Sequence, residues 1–374
     1  MTASHHDVVV VGAGHAGLCV VAALQSRSVD CSVIDPADRL GDTWRARYDG
    51  LRLNTERSLS TIPSTAIPDS VGRWPTRDEW ADHVESAAEQ LGVDRLVTAV
   101  REVRSDGAGE WSVVTDDGAL AARTVIVATG RNRIPEIPPW PGLDTTRIRV
   151  IHSADYRSPV EFGGRLVLVV GAGNSGTEIA HLLAAAGVDV RLSMRTRPVW
   201  ARRELFGSNL TEYARAGRRL PSWLVDLSGR AMQPLLFGRM KPYGPGPPQR
   251  RLSRVAEASG ATLDSGFVDD VKRGRIPLVA AVDRLDEREV VLVDGSCVEV
   301  DVVIAGTGST PRLSDIMPPD ALDGEWPAVG SAPFEQLPGL FTAGLNPATL
   351  TAFHPDFITE AEAIADAVVE RSRR

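Results

Sequence analysis

The sequence predicts an α/β protein with two Rossmann-like domains, the second inserted in the first. One observation is a repeated pattern: an apolar strand, a glycine turn and an apolar helix occur in that order near the start of the chain and again near its middle. The other is a pair of apolar strands that end in small residues, at 123–130 and 301–308, which we expect to carry the chain between the domains. Both domains are therefore expected to be dinucleotide-binding domains.

The first unit begins with a predicted strand at 8–11, which consists of valine. The turn Gly12-Ala13-Gly14-His15-Ala16-Gly17 follows, then an apolar helix to about residue 27 and a strand at 31–34. In such a turn the first glycine permits the tight bend, the second lets a pyrophosphate approach the backbone, and the third lets helix and strand pack closely. The helix N-terminus offers unpaired N–H groups to the phosphates.

The second unit repeats this order. A strand at 166–170 leads into the turn Gly171-Ala172-Gly173-Asn174-Ser175-Gly176, a helix through residue 186 and a strand at 188–193. A single glycine turn is weak evidence, because such turns also occur for steric reasons. Here both turns follow an apolar strand and open a helix, which is the context that the fingerprint requires. The chain therefore predicts two nucleotide sites.

The residue at the end of the second strand indicates which nucleotide each site takes. Asp35 ends this strand in the first unit, where its carboxylate would accept hydrogen bonds from ribose hydroxyls and repel a 2′-phosphate, which suits FAD or NAD. Met194 occupies the same place in the second unit, and Arg195 and Arg197 follow it. Their guanidinium groups would bind the 2′-phosphate of NADPH. The alternative is that these arginines only solvate the end of a strand.

Composition argues against several classes of protein. The 374 residues carry a formal net charge of −8, which argues against a surface built to embrace nucleic acid. No run of 18 apolar residues is free of charges and helix breakers, so no membrane span is expected. The N-terminus lacks the basic and apolar parts of an export signal, and we expect a cytoplasmic protein. The scattered histidines have no metal-ligand spacing, so no metal is expected.

The positions of the cysteines limit the redox chemistry that the sequence predicts. The three cysteines, Cys19, Cys31 and Cys297, form no CxxC pair. Dithiol redox chemistry is therefore not expected.

Further motifs accompany the two glycine turns. They are Gly41-Asp42-Thr43-Trp44-Arg45, Asn174-Ser175-Gly176-Thr177-Glu178 and the small turns at 128–130 and 306–308. Together they resemble the class B flavin-dependent monooxygenases, and within that class the branch that includes the YUCCA indole-3-pyruvate monooxygenases. The resemblance spans nearly the whole chain, including 264–308.

The chain departs from the family pattern at two places. In the family's linker motif, F-x-G-x-x-x-H-x-x-x-Y/F, His152 and Tyr156 match, whereas Thr146 and Ile148 stand at the Phe and Gly positions. The turn at 306–308 also lacks the tyrosine that follows it in the family. These changes leave the two-nucleotide architecture intact and put domain coupling and the substrate in question. A plain structural role for His152 is the alternative.

The resemblance implies a reaction and its cofactors. In the family, NADPH reduces FAD, the flavin captures dioxygen as a C4a-(hydro)peroxide, and one oxygen atom passes to a small organic substrate. Asn54, in the stretch Asn54-Thr55-Glu56-Arg57, matches a family asparagine that hydrogen-bonds the oxygenated flavin; a turn-capping role is the alternative.

The cofactor contacts follow from the resemblance, and the domain limits follow from the order of the predicted strands and helices. FAD contacts are expected at Gly12, Gly14, Gly17, Asp35, Trp44, Arg45, Thr129 and Gly130, and NADPH contacts at Gly171, Gly173, Asn174, Ser175, Gly176, Arg195 and Arg197. We expect an FAD-binding domain made of 1–159 and 298–374, and an NADPH-binding domain at 160–297. A helix predicted at 357–369, with Ile358, Ala361, Ala365 and Val368 on one face, would close the first domain.

The segment 191–254 is strongly basic. It holds 14 basic and three acidic side chains, with aromatic residues between them. We expect a lid at 198–254, where Arg202, Arg203 or Arg250 would bind a substrate carboxylate and Trp200 or Trp223 its apolar part. The alternatives are that the arginines only brace the lid, or that they face nucleic acid or an anionic membrane.

Two other functions stay open on the sequence alone. One is an NADPH oxidase or reductase without oxygen transfer, which the altered linker motif allows. The other is a non-catalytic flavin-binding sensor.

Overall fold

The computed structural model describes residues 4–107, 109–205, 207–209, 220–238, 261–328, 337–346 and 354–373. Its helices are α1 His15–Gln25, α2 Asp42–Arg45, α3 Arg77–Gln90, α4 Asn174–Ala185, α5 Ser222–Phe237, α6 Phe267–Lys272 and α7 His354–Ser372. Short 3₁₀ turns cover Arg57–Leu59, Pro159–Phe162, Leu313–Asp315 and Pro319–Ala321.

Most of the strands span only a few residues. They are β1 Ser4–Val11, β2 Ser32–Ile34, β3 Arg95–Leu96, β4 Val100–Ser105, β5 Trp111–Thr115, β6 Gly118–Val127, β7 Ile134–Pro135, β8 Arg149–His152, β9 Leu166–Val170, β10 Asp189–Ser193, β11 Trp200–Arg202, β12 Glu204–Leu205, β13 Ser208–Asn209, β14 Thr262–Asp264, β15 Leu278–Val279, β16 Val282–Leu285, β17 Glu289–Leu292, β18 Cys297–Glu299, β19 Val302–Ala305, β20 Ser309–Thr310, β21 Leu322–Asp323, β22 Trp326–Pro327 and β23 Leu340–Thr342.

The first sheet has β1 at its centre. Its strands lie in the order β3-β2-β1-β6-β5-β4, and β23 pairs with the C-terminal half of β6. The β3, β2, β1, β6 and β23 strands are parallel, whereas β4 and β5 run antiparallel to their neighbours. The parallel part therefore places the carboxyl ends of β1 and β6 side by side.

Valines on β1 pack against both faces of this sheet. Val8 and Val10 face a core shared with α1 and α7, and Val9 and Val11 face a second core that contains Trp111. An apolar run of this kind is typical of a parallel strand covered on both sides. The predicted C-terminal helix is confirmed, since α7 contributes its apolar face to the first of these cores.

The second sheet is wholly parallel in the described residues. Its order is β15-β10-β9-β19-β8, so the carboxyl ends of β9 and β19 lie side by side. The antiparallel strands β16, β17 and β18 form a small sheet of their own. Leu285, Val290 and Leu292 of the small sheet share one core with Leu168 and Val303 of the large one.

The predicted α/β class with two Rossmann-like domains is confirmed. The chain forms two compact units, one made of 1–46, 50–134 and 309–374 and the other of 47–49 and 135–308. The second unit therefore interrupts the first along the chain.

The observed limits of the second unit, 135 and 308, differ from the expected limits of 160 and 297. The reason is strand pairing: β19 lies between β9 and β8, so both β8 and β19 belong to the second sheet. The apolar segment at 301–308, expected to join the domains, is thus a central strand of the second one.

The expected lid at 198–254 is described only in part. Residues 206, 210–219 and 239–254 lie outside the described residues. In the described part, β11 pairs in parallel with β14, and α5 follows as a helix of 16 residues. Among the described helices, none combines the length and the apolar character needed to cross a lipid bilayer.

Two tyrosines of the second unit allow a test of this packing. The Tyr156 ring is fully buried beside Tyr48 and Phe162, at 5.9 and 5.6 Å between ring centroids, and within the described residues its hydroxyl has no hydrogen-bond partner. Tyr48 instead donates from its hydroxyl to Glu178 Oε2 at 2.7 Å.

We expect Tyr156→Phe to leave the free energy of unfolding unchanged or to raise it by about 1 kcal/mol, because it removes a buried hydroxyl that is not hydrogen-bonded. Tyr48→Phe, the matched control, should lower it by about 1–3 kcal/mol, because it leaves a carboxylate oxygen of Glu178 unpaired. Guanidinium unfolding of both variants gives the comparison. Equal destabilisation by the two changes would contradict it.

Candidate functional site

The first glycine turn lies where β1 ends beside β6. Gly12 has φ +107°, and a Cβ atom there would lie 2.5 Å from the carbonyl oxygen of Ala128, which follows β6. A Cβ atom on Gly17 would overlap the carbonyl oxygen of Gly12. Gly14, just before α1, has nothing within 4 Å of its Cβ position. At Gly12 and Gly17 there is therefore no room for a side chain. Gly14 leaves open space, on the side where a phosphate would approach.

The second glycine turn repeats this geometry where β9 ends beside β19. Gly171 has φ +114°, and a Cβ atom there would overlap the carbonyl oxygen of Gly306, which follows β19. A Cβ atom on Gly176 would overlap the carbonyl oxygen of Gly171, whereas the Cβ position of Gly173 is open. Each turn thus sits at a switch point of its sheet, where nucleotides bind in open α/β folds.

Asp35, at the end of β2, lies against the first glycine turn. Its Oδ2 accepts a hydrogen bond from the Ala13 N–H at 2.8 Å, and its Oδ1 accepts one from the Ala37 N–H at 2.9 Å. A carboxylate can accept about four hydrogen bonds, so capacity remains for ribose hydroxyls. The predicted ribose acceptor therefore stands at the turn.

Thr129, after β6, carries a polar atom that the protein leaves unsatisfied. Within the described residues its hydroxyl oxygen is buried and has no hydrogen-bond partner. Its Cα lies 3.3 Å from the Cβ position of Gly12, so the hydroxyl belongs to the same turn. The neighbouring Gly130 has open space around its Cβ position. A polar ligand group at this turn would satisfy the hydroxyl, and this fits a bound dinucleotide.

Arg45 is held by other side chains rather than pointing to an open site. It donates from Nη1 to Leu40 O at 2.7 Å and to Asp42 Oδ1 at 3.3 Å, and from Nη2 to Asp82 Oδ1 at 2.7 Å and to Glu85 Oε2 at 2.9 Å. Four of its five N–H groups are thus used, and the two bonds to Asp82 and Glu85 fasten α2 to α3. The geometry favours an anchoring role over the FAD contact expected from the sequence.

Two other expected residues of the first unit lie in different surroundings. Trp44 is half-buried and meets Trp80 edge to face, with 6.3 Å between ring centroids. Asn54 is exposed, while Leu53 and Thr55 on either side of it are buried. Asn54 therefore lies at the surface, between two neighbours that are packed inside.

The end of β10 matches a site for an extra phosphate. Met194, at the position of Asp35, is buried, and its N–H donates to Val279 O at 3.2 Å. Arg195 is exposed. Within the described residues, the buried Nε of Arg197 has no hydrogen-bond partner. A buried guanidinium N–H without an acceptor is costly, and an anionic ligand oxygen would relieve that cost.

Asn174 and Ser175 begin α4. Asn174 Oδ1 accepts from the Leu263 N–H at 2.8 Å, and the Thr262 hydroxyl donates to Ala172 O at 3.0 Å. These bonds tie β14 to the second glycine turn, so the side-chain oxygen of Asn174 has a structural role. Ser175 is exposed in the first turn of the helix.

The residues expected to hold a substrate lie in unlike environments. The Trp200 ring is 4% exposed, packs against Phe267 at 5.3 Å, and has its backbone bonded to the Gln233 amide. Trp223 on α5 is 65% exposed. Arg202 is exposed and lies 5.9 Å from the Phe237 ring centroid. Burial assigns Trp200 to packing rather than to ligand contact.

The residues of the linker motif make contacts that hold neighbouring elements of the second unit together. His152 Nε2 donates to Gly308 O at 2.8 Å, and its Nδ1 accepts from the Ala154 N–H at 3.0 Å. Burial lowers the pKa of His152, so the ring is neutral and fastens β8 to the turn after β19. Thr146, in place of Phe, donates to Asp286 O at 2.7 Å, and Ile148, in place of Gly, joins the core of the second unit. The departures from the family motif are thus accommodated by local contacts.

Sequence reasoning gave no role to Tyr48, Glu178 or His15. The Tyr48–Glu178 hydrogen bond joins residues 130 positions apart, and burial raises the pKa of both groups. His15, inside the first glycine turn, contacts Thr61 O through Nε2 at 3.2 Å and packs edge-on against Trp80. Burial lowers its pKa to about 4, so the imidazole at the start of α1 is neutral near pH 7.

Metal binding has no support in the described part of the chain. No group of three or more His, Cys, Asp and Glu side chains there is placed to hold a metal ion. The three cysteines are free.

Known proteins match this chain along most of its length. The family profile described as pyridine nucleotide-disulphide oxidoreductase matches residues 9–215. An indole-3-pyruvate monooxygenase, YUCCA1 of Oryza sativa subsp. japonica, is 34% identical over 307 residues, 80% of this chain and 76% of the relative. A probable indole-3-pyruvate monooxygenase, YUCCA8 of Arabidopsis thaliana, is 31% identical over 318 residues, 80% of this chain and 74% of the relative.

A solved structure agrees in fold. The flavin-containing monooxygenase from Stenotrophomonas maltophilia superposes with a TM-score of 0.76 at 21% sequence identity, and the match covers 99% of each chain.

The open and closed glycines of the second turn predict opposite behaviour on substitution. Gly173→Ala should leave the thermal unfolding midpoint nearly unchanged, because its Cβ position is empty, yet weaken binding of a dinucleotide that approaches the backbone there. Gly176→Ala should lower the midpoint, because its Cβ would overlap the Gly171 carbonyl oxygen. Thermal scans and nucleotide titration of both variants measure this. Unchanged nucleotide affinity in Gly173→Ala would count against a binding role for the turn.

Proposed function

Because this chain belongs to the class B flavin-dependent monooxygenases of the YUCCA type, within the pyridine nucleotide-disulphide oxidoreductase family, we propose that it binds FAD at the first glycine turn and NADPH at the second and oxygenates a small organic, carboxylate-bearing substrate. The resemblance found in the sequence motifs is thereby confirmed. The observation that carries the site assignment is the pair of matching glycine turns with unlike residues at the end of the second strand, Asp35 in one and Met194 followed by arginines in the other.

The first turn suits the ADP part of FAD. Gly14 leaves room for a pyrophosphate at the N-terminus of α1, where backbone N–H groups are unpaired. Asp35 would accept from the ribose hydroxyls, and the buried Thr129 hydroxyl would gain a partner. His15 is neutral there, so the helix N-terminus and the backbone supply the positive potential. Trp44 would pack near the cofactor, and Arg45 would support it through α2.

The second turn suits NADPH. Gly173 leaves room for the pyrophosphate, with Asn174 N–H groups and Ser175 beside it at the start of α4. Arg195 and Arg197 would bind the 2′-phosphate. The phosphate would accept a hydrogen bond from the buried Nε of Arg197, which has no partner among the described residues.

The free cysteines support dioxygen as the electron acceptor. Cys19, Cys31 and Cys297 are all unpaired, so reducing equivalents have no internal disulfide to reach. When bound, FAD accepts a hydride from NADPH and activates dioxygen for transfer of one oxygen atom. One NADPH supplies two electrons, one oxygen atom enters the substrate, and the other leaves as water. We place Asn54 beside the flavin, where its exposed amide would hydrogen-bond the reacting oxygen.

The substrate that we favour is a small carboxylate-bearing molecule, such as an aromatic 2-oxo acid. Two plant relatives are named for indole-3-pyruvate, which has this chemistry. Arg202 and Arg203 would bind the carboxylate, and the exposed Trp223 would contact the apolar part. Trp200 would support them from the core. A cytoplasmic location is part of the proposal, because the three free thiols suit a reducing compartment.

Turnover in labelled dioxygen tests the proposed activity. Purified protein with FAD, NADPH and an aromatic 2-oxo acid should incorporate one labelled atom per product, with little peroxide, and should oxygenate the acid better than its neutral ester or amide. Asn54→Ala should leave NADPH-driven flavin reduction intact and raise the ratio of peroxide to product, because a positioned hydrogen bond is lost. Stoichiometric peroxide from the unaltered protein across a substrate panel would instead identify an oxidase.

The choice of NADPH over NADH tests the second site. If the guanidinium groups bind the 2′-phosphate, Arg197→Ala or Arg195→Ala should cost about 1.5–3 kcal/mol of NADPH binding, or roughly 10- to 150-fold, and leave NADH binding nearly unchanged. Arg191→Ala, on the same strand β10, is the control and should alter neither. Equal losses for both cofactors would refute the assignment.

A further inference from the structure

The Tyr48–Glu178 pair lies beside the second glycine turn and has no role in the proposed reaction. Glu178 is one helical turn after Asn174 on α4, so the two side chains share a face of the helix. The Tyr48 hydroxyl donates to Glu178 Oε2 at 2.7 Å. Tyr48 is buried, and its ring lies 5.9 Å from that of Tyr156. The Glu178 carboxylate is therefore held in place on the helix that begins at the turn.

Strand pairing brings Arg203 to the same face of α4. Asn174 Oδ1 accepts from the N–H of Leu263 on β14 at 2.8 Å, which fastens β14 to the start of the helix. Strand β11 pairs in parallel with β14, with Arg202 opposite Asp264. Arg203 follows β11 directly. The chain at Arg203 therefore runs beside the part of α4 that carries Glu178.

The electrostatics of the pair agree with this placement. Burial raises the pKa of the Glu178 carboxyl, and the Tyr48 hydrogen bond and the positive charge of Arg203 both oppose that rise. Burial also raises the pKa of the Tyr48 hydroxyl, and Arg203 opposes this rise as well. His181 acts on Glu178 in the same direction, but its Nδ1 is bonded to Asp270 Oδ2 at 2.6 Å. A carboxylate accepts several hydrogen bonds, so Glu178 can hold a guanidinium in addition to the Tyr48 hydroxyl.

The neighbouring Arg202 is engaged elsewhere. Its Nη2 donates to Leu236 O at 3.4 Å, and its guanidinium carbon lies 5.9 Å from the Phe237 ring centroid on α5. Successive side chains of an extended chain point to opposite sides, so Arg203 points away from α5. Arg202 is exposed, whereas Arg203 is half-buried. A guanidinium that is partly shielded from water pairs more strongly with a carboxylate than an exposed one does.

Of these two arginines, we propose that Arg203 binds the substrate carboxylate and that Glu178, held by Tyr48, positions the Arg203 guanidinium. The inference rests on the proposed carboxylate-bearing substrate. The N–H groups of a guanidinium form a rigid planar fork, so one edge can face Glu178 while another makes two parallel hydrogen bonds to a carboxylate. A guanidinium that is fixed before the substrate arrives loses less entropy on binding. Arg202 instead braces α5.

Ligand binding without turnover tests the proposal. Isothermal titration of phenylpyruvate into the FAD-loaded protein with NADP⁺ measures its affinity, and the neutral amide of phenylpyruvate is the reference ligand. Arg203→Ala should weaken phenylpyruvate binding by roughly 10- to 100-fold, because a charge-assisted pair is lost, and leave binding of the amide nearly unchanged. Arg203→Lys, which keeps the charge and loses the planar fork, should recover part of the affinity. Arg202→Ala is the matched control and should bind both ligands as the unaltered protein does.

A double-mutant cycle tests the positioning role of Glu178. Glu178→Gln keeps an oxygen for the Tyr48 hydroxyl and removes the charge. It should weaken phenylpyruvate binding about fivefold in the unaltered protein and have no further effect in Arg203→Ala. Equal losses from Glu178→Gln in both backgrounds, equal losses from Arg202→Ala and Arg203→Ala, or phenylpyruvate binding no tighter than that of the amide would overturn the proposal. Unchanged thermal midpoints establish that each variant is folded.

These measurements separate the inference from the proposed reaction. Phenylpyruvate binding that depends on Arg203, in a protein that releases only peroxide, would refute the reaction and support the inference. Oxygenation of the acid with full affinity in Arg203→Ala would support the reaction and overturn the inference.

Discussion

In both glycine turns, backbone segments approach so closely that no side chain fits between them, and this contact sets the geometry of each turn. In each unit a strand, a turn and a helix meet so closely that a Cβ atom on Gly17 or Gly176 would overlap the backbone of the turn. The neighbouring strand closes the same turn from the other side, through Ala128 in one unit and Gly306 in the other. Because that contact is between backbones, the N-terminus of each helix lies close to the carboxyl ends of the two strands.

The polar residues near these turns fall into two groups according to how they are bonded. Arg45 and His152 have most of their hydrogen-bonding capacity taken up by the protein, and they hold helices, strands and turns in place. Thr129 and Arg197, within the described residues, each bury a polar atom that nothing in the chain satisfies. The first group makes the sites rigid. Under the proposed function, the second group would gain its partners from the bound cofactors. This distinction depends on bonding geometry rather than on residue type.

Local pattern was enough to predict the two βαβ units, because the apolar run, the glycine spacing and the helix all lie within about 30 residues. It was not enough to predict which strands from distant parts of the chain pair with one another. The place of β19 between β9 and β8 depends on strands far apart in sequence, so the strand at 301–308 was predicted and its sheet was not. The anchoring role of Arg45 could not be predicted from the sequence for the same reason, since its carboxylate partners Asp82 and Glu85 lie 37 and 40 residues away. The Tyr48–Glu178 pair left no local signal at all.

The buried imidazole in the first glycine turn sets an acid limit on this enzyme. His15 has its pKa lowered by burial from 6.5 to about 4, so between these values the unfolded chain binds a proton that the native protein does not. Stability therefore falls as the pH drops through that window, and the loss is complete below about pH 4. Protonation would also place a cation in a pocket built around Trp80 and Phe357. Acid therefore destabilises the fold at the first glycine turn, since His15 lies at the start of α1.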